Sequence, residues 1–280
     1  MINFTRFTPF YFAVSLIVIG IGVFSILTGG FKLGIDFTGG SIISYSREIA
    51  FERKEVEKIL NDQKIKLVTY SQVSDKKITL RTISIDERQE AQLRKTLSAQ
   101  QLRFDSVGPS LGRETMRKTA IASIVAIIGI LLYISFTFKK FNYGIAAIMA
   151  LLHDILVLTG VYSIMSHFGA EIDALFVTAL LTTMSFSVHD TIVVFDKIRE
   201  YRGTSALPIE DLANRALTET MVRSLNNSLT IMLMLVPLTL MGGESLHFFA
   251  AALLVGTITG TYSSPFIATP LLVLLENRRK

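Results

Sequence analysis

Six apolar runs, each close to the roughly 20 residues that a helix needs to cross a lipid hydrocarbon core, leave this chain few folds to choose from. They lie near Phe10–Leu27, Thr119–Phe138, Tyr143–Met165, Ala174–Phe195, Thr220–Met241 and His247–Leu275. Hydrophobic residues make up 50% of the 280 positions and charged residues only 18%, too apolar for an ordinary soluble domain. One long polar stretch separates the first run from the second. The expected fold class is a polytopic α-helical membrane protein with six transmembrane helices and a small α+β exported domain between helices 1 and 2. Residues 1–30 would hold the N-terminus and the first helix, 31–115 the exported domain, and 116–280 the remaining five helices and the C-terminus.

Orientation follows from the basic residues of the short connections. Lys139, Lys140, Lys197, Arg199, Arg202, Arg215, Arg278, Arg279 and Lys280 fall on one side, whereas Ser166–Asp173 and Gly242–Leu246 hold no Lys or Arg. Both termini are therefore expected in the cytoplasm and the polar stretch outside. Arg113, Arg117 and Lys118 fall on the other side, where they close a long translocated domain and the rule is weak. The net charge of +5 is mostly this bias. No basic run with interleaved aromatics points to a nucleic-acid partner. The chain has no Cys, which removes disulfides, thiolate chemistry and Cys-based metal sites. Met1–Leu27 has an early Arg and an apolar core but no small-residue cleavage site, and is expected to stay as an anchor in membrane lipid.

The exported segment, Gly40–Gly112, reads as a small α/β unit. Gly40–Ser46 and Ile65–Ser71 are β-branched runs flanking Glu52–Gln63, where Val56, Ile59 and Leu60 recur at helical spacing. Ile78 and Leu80 alternate with Lys77, Thr79 and Arg81. Asp86 can cap a helix carrying Leu93 and Leu97, and Leu102 and Phe104 alternate with polar neighbours. The order β-α-β-β-α-β is that of a ferredoxin-like split unit. Gly108-Pro109-Ser110-Leu111-Gly112 is expected to turn the chain back to the membrane. With no His, Cys, phosphate loop or nucleophile beside a base, this unit reads as a docking surface. The chain also lacks a Walker motif, so any work it does must draw its energy from elsewhere. No enzyme activity, metal or cofactor is expected.

Charged residues inside the apolar runs mark ion or proton pathways more often than packing. Asp190 sits inside the fourth run, about 9 Å along a helix from Asp196 at its cytoplasmic end. Arg223, near the start of the fifth run, is its natural counter-charge, with Asn226, Asn227 and Thr230 on the same helical face. Thr183, Ser187, Asp190 and Thr191 form a comparable polar stripe. An intact pair favours an ionised carboxylate and separation favours a protonated one, so alternately joining and parting the two would bind and release a proton. His153 and Asp154, midway along the third run, form a second candidate pathway. His189 either titrates or bonds to a neighbouring helix. Gly256 and Gly260 permit close helix approach, Pro265 suggests a kink, and Thr257, Thr259, Thr261 and Ser263 are candidates to line the polar centre.

Four strings in this order resemble the SecF family: Gly34-Ile35-Asp36-Phe37-Thr38-Gly39-Gly40, Val107-Gly108-Pro109-Ser110-Leu111-Gly112, His153-Asp154, and Asp190-Thr191-Ile192-Val193-Val194-Phe195-Asp196-Lys197-Ile198-Arg199-Glu200. That family is the smaller membrane subunit of the SecD–SecF protein-export accessory complex, a branch of the resistance-nodulation-division transporters. The resemblance implies a bacterial inner-membrane protein that pairs with SecD, associates with the SecYEG channel, and uses a proton or sodium gradient to assist export of unfolded preproteins after the SecA motor has acted. It implies that Asp190 and Arg223 belong to the ion-coupling centre. It also places Asp36, Phe37, Thr38, Gly39 and Gly40 at the outer junction, either as a turn that relaxes and transmits motion or as a rigid one. His189 stands where the family usually has Asn, Lys197 where it has Arg, and Asn226-Asn227 where small hydroxyl or apolar residues are more common. Two other readings are half of an ion-driven efflux porter for small molecules or lipids, which the small external domain speaks against, and a scaffold subunit that moves no ions.

Overall fold

A computed structural model describes residues 4–138 and 140–277. Lys139, Arg278, Arg279 and Lys280, which contribute to the charge bias, lie outside the described residues. The chain begins with helix α1 (Thr8–Leu27), which has Pro9 in its first turn, where a missing N–H removes no hydrogen bond. A single turn, α2 (Ile35–Thr38), leads through Gly39 into strand β1 (Gly40–Ser46). Helix α3 (Arg53–Asp62), strands β2 (Leu67–Ser74) and β3 (Lys77–Thr82), helix α4 (Glu87–Leu97) and strand β4 (Gln100–Val107) follow.

The four strands form one antiparallel sheet in the order β2-β3-β1-β4. Along β3 the side chains alternate, with Ile78, Leu80 and Thr82 buried and Thr79 and Arg81 partly exposed, as the two-residue period of a strand requires. Val56 and Leu60 of α3 and Leu93 and Leu97 of α4 close a core over Ile43, Tyr45, Ile78 and Leu80. Burying each such side chain is worth about 1.5–3 kcal/mol. The expected cap on α4 is a full capping box: Asp86 Oδ1 accepts from Gln89 N at 2.7 Å, and Gln89 Oε1 accepts from Asp86 N at 3.1 Å. This unit covers residues 33–121, and the helical unit is formed by 1–32 with 122–280.

The remaining helices are α5 (Pro109–Thr137), α6 (Phe141–Ser166), α7 (Ala174–Thr204), α8 (Ile209–Met241) and α9 (Glu244–Ser263), a π-helical turn (Ser264–Ala268), and α10 (Thr269–Asn277). Six helical stretches are long and apolar enough to cross a membrane: Thr8–Leu27, Pro109–Thr137, Phe141–Ser166, Ala174–Thr204, Ile209–Met241 and Leu246–Asn277. Several boundaries differ from those read from hydropathy. Pro109–Gly112, expected as a turn, forms the first turn of α5, because proline is pre-organised for that position and Gly112 N donates to Gly108 O at 2.9 Å. Helices α7 and α8 run well past the apolar runs, carried by Lys, Arg and Glu residues that favour helix at a water-facing end. Pro265 sits in the π-helical turn, where Thr269 Oγ1 donates to Ser264 O at 2.9 Å.

Glycines set the closest helix crossings. A Cβ on Gly256 of α9 would lie 2.2 Å from Thr183 Cγ2 of α7, and one on Gly260 would lie 3.2 Å from Ser187 Cα. The expected close approach is therefore between α9 and α7. A second crossing joins α1 and α6, where a Cβ on Gly22 would lie 2.6 Å from Gly160 Cα. In the core of the helical unit Phe138 stacks on Tyr143 with ring centroids 5.9 Å apart, and Phe195 meets both edge-to-face at 5.5 Å. By contrast Phe136 of α5 and Leu233 and Leu240 of α8 remain exposed apolar surface.

Candidate functional site

The short link between α7 and α8 makes them an antiparallel pair and brings Asp190 opposite Ser224. Ser224 Oγ donates to Asp190 Oδ2 at 2.5 Å. The two residues border a cavity of about 180 Å³ together with Val193, Val194, Thr220, Arg223 and Asn227. That volume has room for several waters at about 30 Å³ each. Arg223 thus shares the cavity with Asp190, but among the described residues no nitrogen of Arg223 comes within 4.0 Å of an Asp190 oxygen. The direct pair expected from the sequence is not formed. Successive residues on a helix point about 100° apart, so an acid docked on Ser224 leaves the side chain of Arg223 on a neighbouring direction.

The polar stripe of α7 divides. Thr183, Ser187 and Thr191, four residues apart, are buried, and they meet Gly256 on α9, Asp154 on α6 and Ser264 in the π turn respectively, whereas half-buried Asp190 turns to α8. Asp154 is the more enclosed acid. Its Oδ2 accepts from Ser187 Oγ and from Ser263 Oγ at 2.7 Å, and its Oδ1 lies 2.8 Å from His153 Nδ1. Thr191 Oγ1 and Ser264 Oγ are 2.9 Å apart beside the π turn. Sequence periodicity could flag Asp154 and Ser263 separately. It could not show that they meet, because the contact crosses 109 residues.

Other expected residues separate into members and bystanders. Asn227 lines the Asp190 cavity, but Asn226 is exposed and outside its lining, and its carbonyl accepts from Thr230 Oγ1 at 2.8 Å. His189 is exposed and, among the described residues, bonds to no neighbouring helix, so the second of its two expected roles is not seen. It points away because Ser187 and Thr191 take the inward positions on either side of it. Of the hydroxyls on α9, Thr257 and Thr259 bond back to their own helix, whereas Thr261 also meets Ser228 of α8 at 2.5 Å.

The Asp36–Gly40 string is a packed turn. Asp36, Phe37 and Thr38 belong to α2, with Phe37 buried. Arg81 Nη2 donates to Thr38 Oγ1 at 3.0 Å and to Leu33 O at 2.8 Å. Gly39 has φ +71° and Gly40 φ +127°. A Cβ on Gly39 would lie 2.8 Å from Pro109 Cα, and one on Gly40 would lie 2.8 Å from Thr82 O. Both the left-handed backbone and the lack of space require glycine here. This geometry favours the rigid turn over the relaxing one.

Six spanning helices, a small antiparallel sheet, and acids held by hydroxyls inside the helical layer define a multi-pass membrane protein with ionisable groups in its core. A family model described as "Protein export membrane protein SecD/SecF, C-terminal" matches residues 88–278, and one described as "SecD/SecF GG Motif" matches residues 24–46. The chain belongs to the SecD/SecF protein-export family, and within it is similar to the SecF subunits. Protein translocase subunit SecF of Thermobaculum terrenum is 40% identical over 99% of this chain and 95% of its own length. The subunit of the same name from Anaerolinea thermophila is 38% identical over the same shares. Protein translocase subunit SecDF of Thermus thermophilus is 33% identical over 99% of this chain. The crystal structure of SecDF from Thermus thermophilus superimposes with a TM-score of 0.85 at 30% identity over 99% of this chain. This chain spans 39% of the length of that SecDF chain.

Proposed function

We propose that this chain is one half of an ion-driven accessory to the Sec protein-export machinery, acting with a SecD-type partner and the SecYEG channel to draw preproteins across the bacterial inner membrane after SecA has acted. The observation that carries this reading is the cavity at the α7–α8 seam, which holds an acid and a guanidinium in one space without joining them. In that arrangement Asp190 is held by Ser224 and Arg223 has room to approach. Closing the gap favours the ionised acid, and opening it favours the protonated one. Movement of α8 against α7 would then bind an ion from one side and release it to the other. The driving gradient is of protons or sodium, and the membrane holds both termini on its cytoplasmic side.

The partner follows from incompleteness. Ion and substrate sites in transporters built from repeats form at the interface between halves. Apolar side chains of α5 and α8 lie open, and the SecDF relative carries more than this chain's length again in one polypeptide. The sheet domain would be the exported, ferredoxin-like part that moves with the helices and holds an emerging polypeptide. The test is Asp190→Asn in the assembled complex, with ion-dependent export measured in inverted membrane vesicles. An assembled but inactive complex is expected, and normal export would reduce the chain to a scaffold.

A further inference from the structure

Asp154 on α6 is 7% exposed, and its three direct contacts come from three helices' worth of neutral donors: Ser187, Ser263 and the adjacent His153. The two hydroxyls donate to Oδ2. His153 is 8% exposed, with Nδ1 committed to Asp154, and its Nε2 has no hydrogen-bond partner among the described residues. An imidazole in that tautomer carries a bare lone pair at Nε2, a basic site buried away from bulk water.

The elements packed around the pair add no opposite charge. From α1 come Ser15 and the backbone of Tyr11, both bonded to the hydroxyl of Tyr262, whose ring lies 6.2 Å from the His153 ring. From α7 comes Ser187, and from the π turn Ser264, which is bonded to Thr191. The acid of α10, Glu276, is held by Asn142 and Arg202 at the start of α6, about three turns away. With Arg223 charged and both Asp154 and Asp190 ionised, the apolar spans carry one net negative charge, which is costly at membrane depth.

We propose that His153 and Asp154 form a second proton-binding centre, which deepens the export reading above and rests on it. One proton, taken from water, lodges on the carboxylate or on Nε2 and brings the set to neutrality. On the carboxylate it weakens the acceptor for Ser187 and Ser263, loosening the ties of α6 to α7 and α9. Ser187 lies one turn before Asp190, and Ser263 directly precedes the π turn, so the release reaches the helix that carries Asp190. The proton returns to water when the two hydroxyl bonds re-form.

The test uses the full chain in lipid nanodiscs, with infrared difference spectra for carboxyl groups and nitrogen NMR for imidazoles, in sodium and in choline buffers. A signal that titrates between about pH 4 and pH 9, the range of perturbed carboxylates and imidazoles, is expected. It should be lost in Asp154→Asn, kept in Asp190→Asn, and indifferent to sodium. His153→Gln leaves the acid and its two serines in place and serves if Asp154→Asn does not fold; it should move the midpoint at least tenfold in proton concentration. No titrating signal from either side chain, or one that follows sodium at fixed pH, overturns the proposal. A titrating Asp154 in a chain whose Asp190→Asn variant exports normally would sink the coupling reading and leave this centre standing. A silent Asp154 beside an inactive Asp190→Asn would do the reverse.

Discussion

Asp190 rests on the hydroxyl of Ser224 at 2.5 Å, one position along α8 from the arginine that shares its cavity. A neutral donor holds the acid in place without committing Arg223, so the guanidinium can change its distance while the carboxylate stays hydrogen-bonded. The arrangement gives the acid two partners of different charge on one helix.

Removing those partners separately should give different phenotypes. Asp190→Asn keeps the shape and is expected to lower ion-dependent export at least tenfold with the complex assembled. Ser224→Ala removes one hydrogen bond to a charged acceptor, worth about 1.5–3 kcal/mol. It should shift the pH of half-maximal export with a smaller loss of maximal rate. Export followed across pH in inverted vesicles checks both, and a Ser224→Ala profile with no shift in pH would mean that Ser224 only packs.

The two glycine crossings should differ in whether they can be rescued. Gly22→Ala drives a Cβ to 2.6 Å from Gly160 Cα, backbone against backbone, so α1 must move away from α6. Overpacking of this kind costs about 1–3 kcal/mol. At Gly256 the obstacle is the Thr183 side chain, so Gly256→Ala should be rescued in part by Thr183→Gly, with no comparable rescue for Gly22→Ala. Thermal aggregation in detergent, compared across the single and double variants, reads the difference.

Much of this structure was legible because apolar length and period-two alternation are local properties. The six spans, β1 at Gly40–Ser46 and the Asp86 cap needed only neighbouring residues. Helix ends were harder to read, since α7 and α8 continue beyond the apolar runs on charged helix formers that hydropathy scores as loop. The site was half legible. Asp190 and Arg223 were visible as charges in apolar runs, but their separation depends on Ser224 lying opposite Asp190, a matter of register between two helices. The enclosure of Asp154 by Ser187 and Ser263 depends on three helices at once, and serines in a membrane helix carry little signal of their own.

Acid should loosen the sheet unit at one identifiable contact. Arg47 holds Glu55 through Nη2–Oε2 at 2.6 Å and Nη1–Oε1 at 3.0 Å, and this keeps the Glu55 carboxyl below the usual carboxylate range against the opposing effect of burial. A depressed folded value means the contribution is complete above the unfolded glutamate value, near about 4.3, and is lost as pH falls through the folded one. Glu55 keeps 42% of its side-chain exposure, so screening limits the effect to about 1 kcal/mol or less. Hydrogen exchange of α3 and β1 amides should speed on acidification in the native chain and change less in Glu55→Gln. Identical acid sensitivity in the two would place the loss elsewhere.

The turn at Gly39 should tolerate no side chain. With φ at +71° an alanine is strained, and its Cβ would press to 2.8 Å from Pro109 Cα, the first residue of α5. Gly112 faces the same point, since a Cβ there would lie 2.7 Å from Gly39 N. The turn and the start of α5 are therefore one packed piece within the 33–121 unit. Non-glycine residues in such conformations cost about 1–3 kcal/mol before any clash is counted. Gly39→Ala should thus destabilise that unit by more than Gly108→Ala, whose Cβ meets nothing within 4 Å. If the turn acted as a soft hinge, both changes would leave stability nearly unchanged and lower export alone. Limited proteolysis beside an export assay separates the two, and a rigid turn predicts that protease resistance and export are lost together for Gly39→Ala.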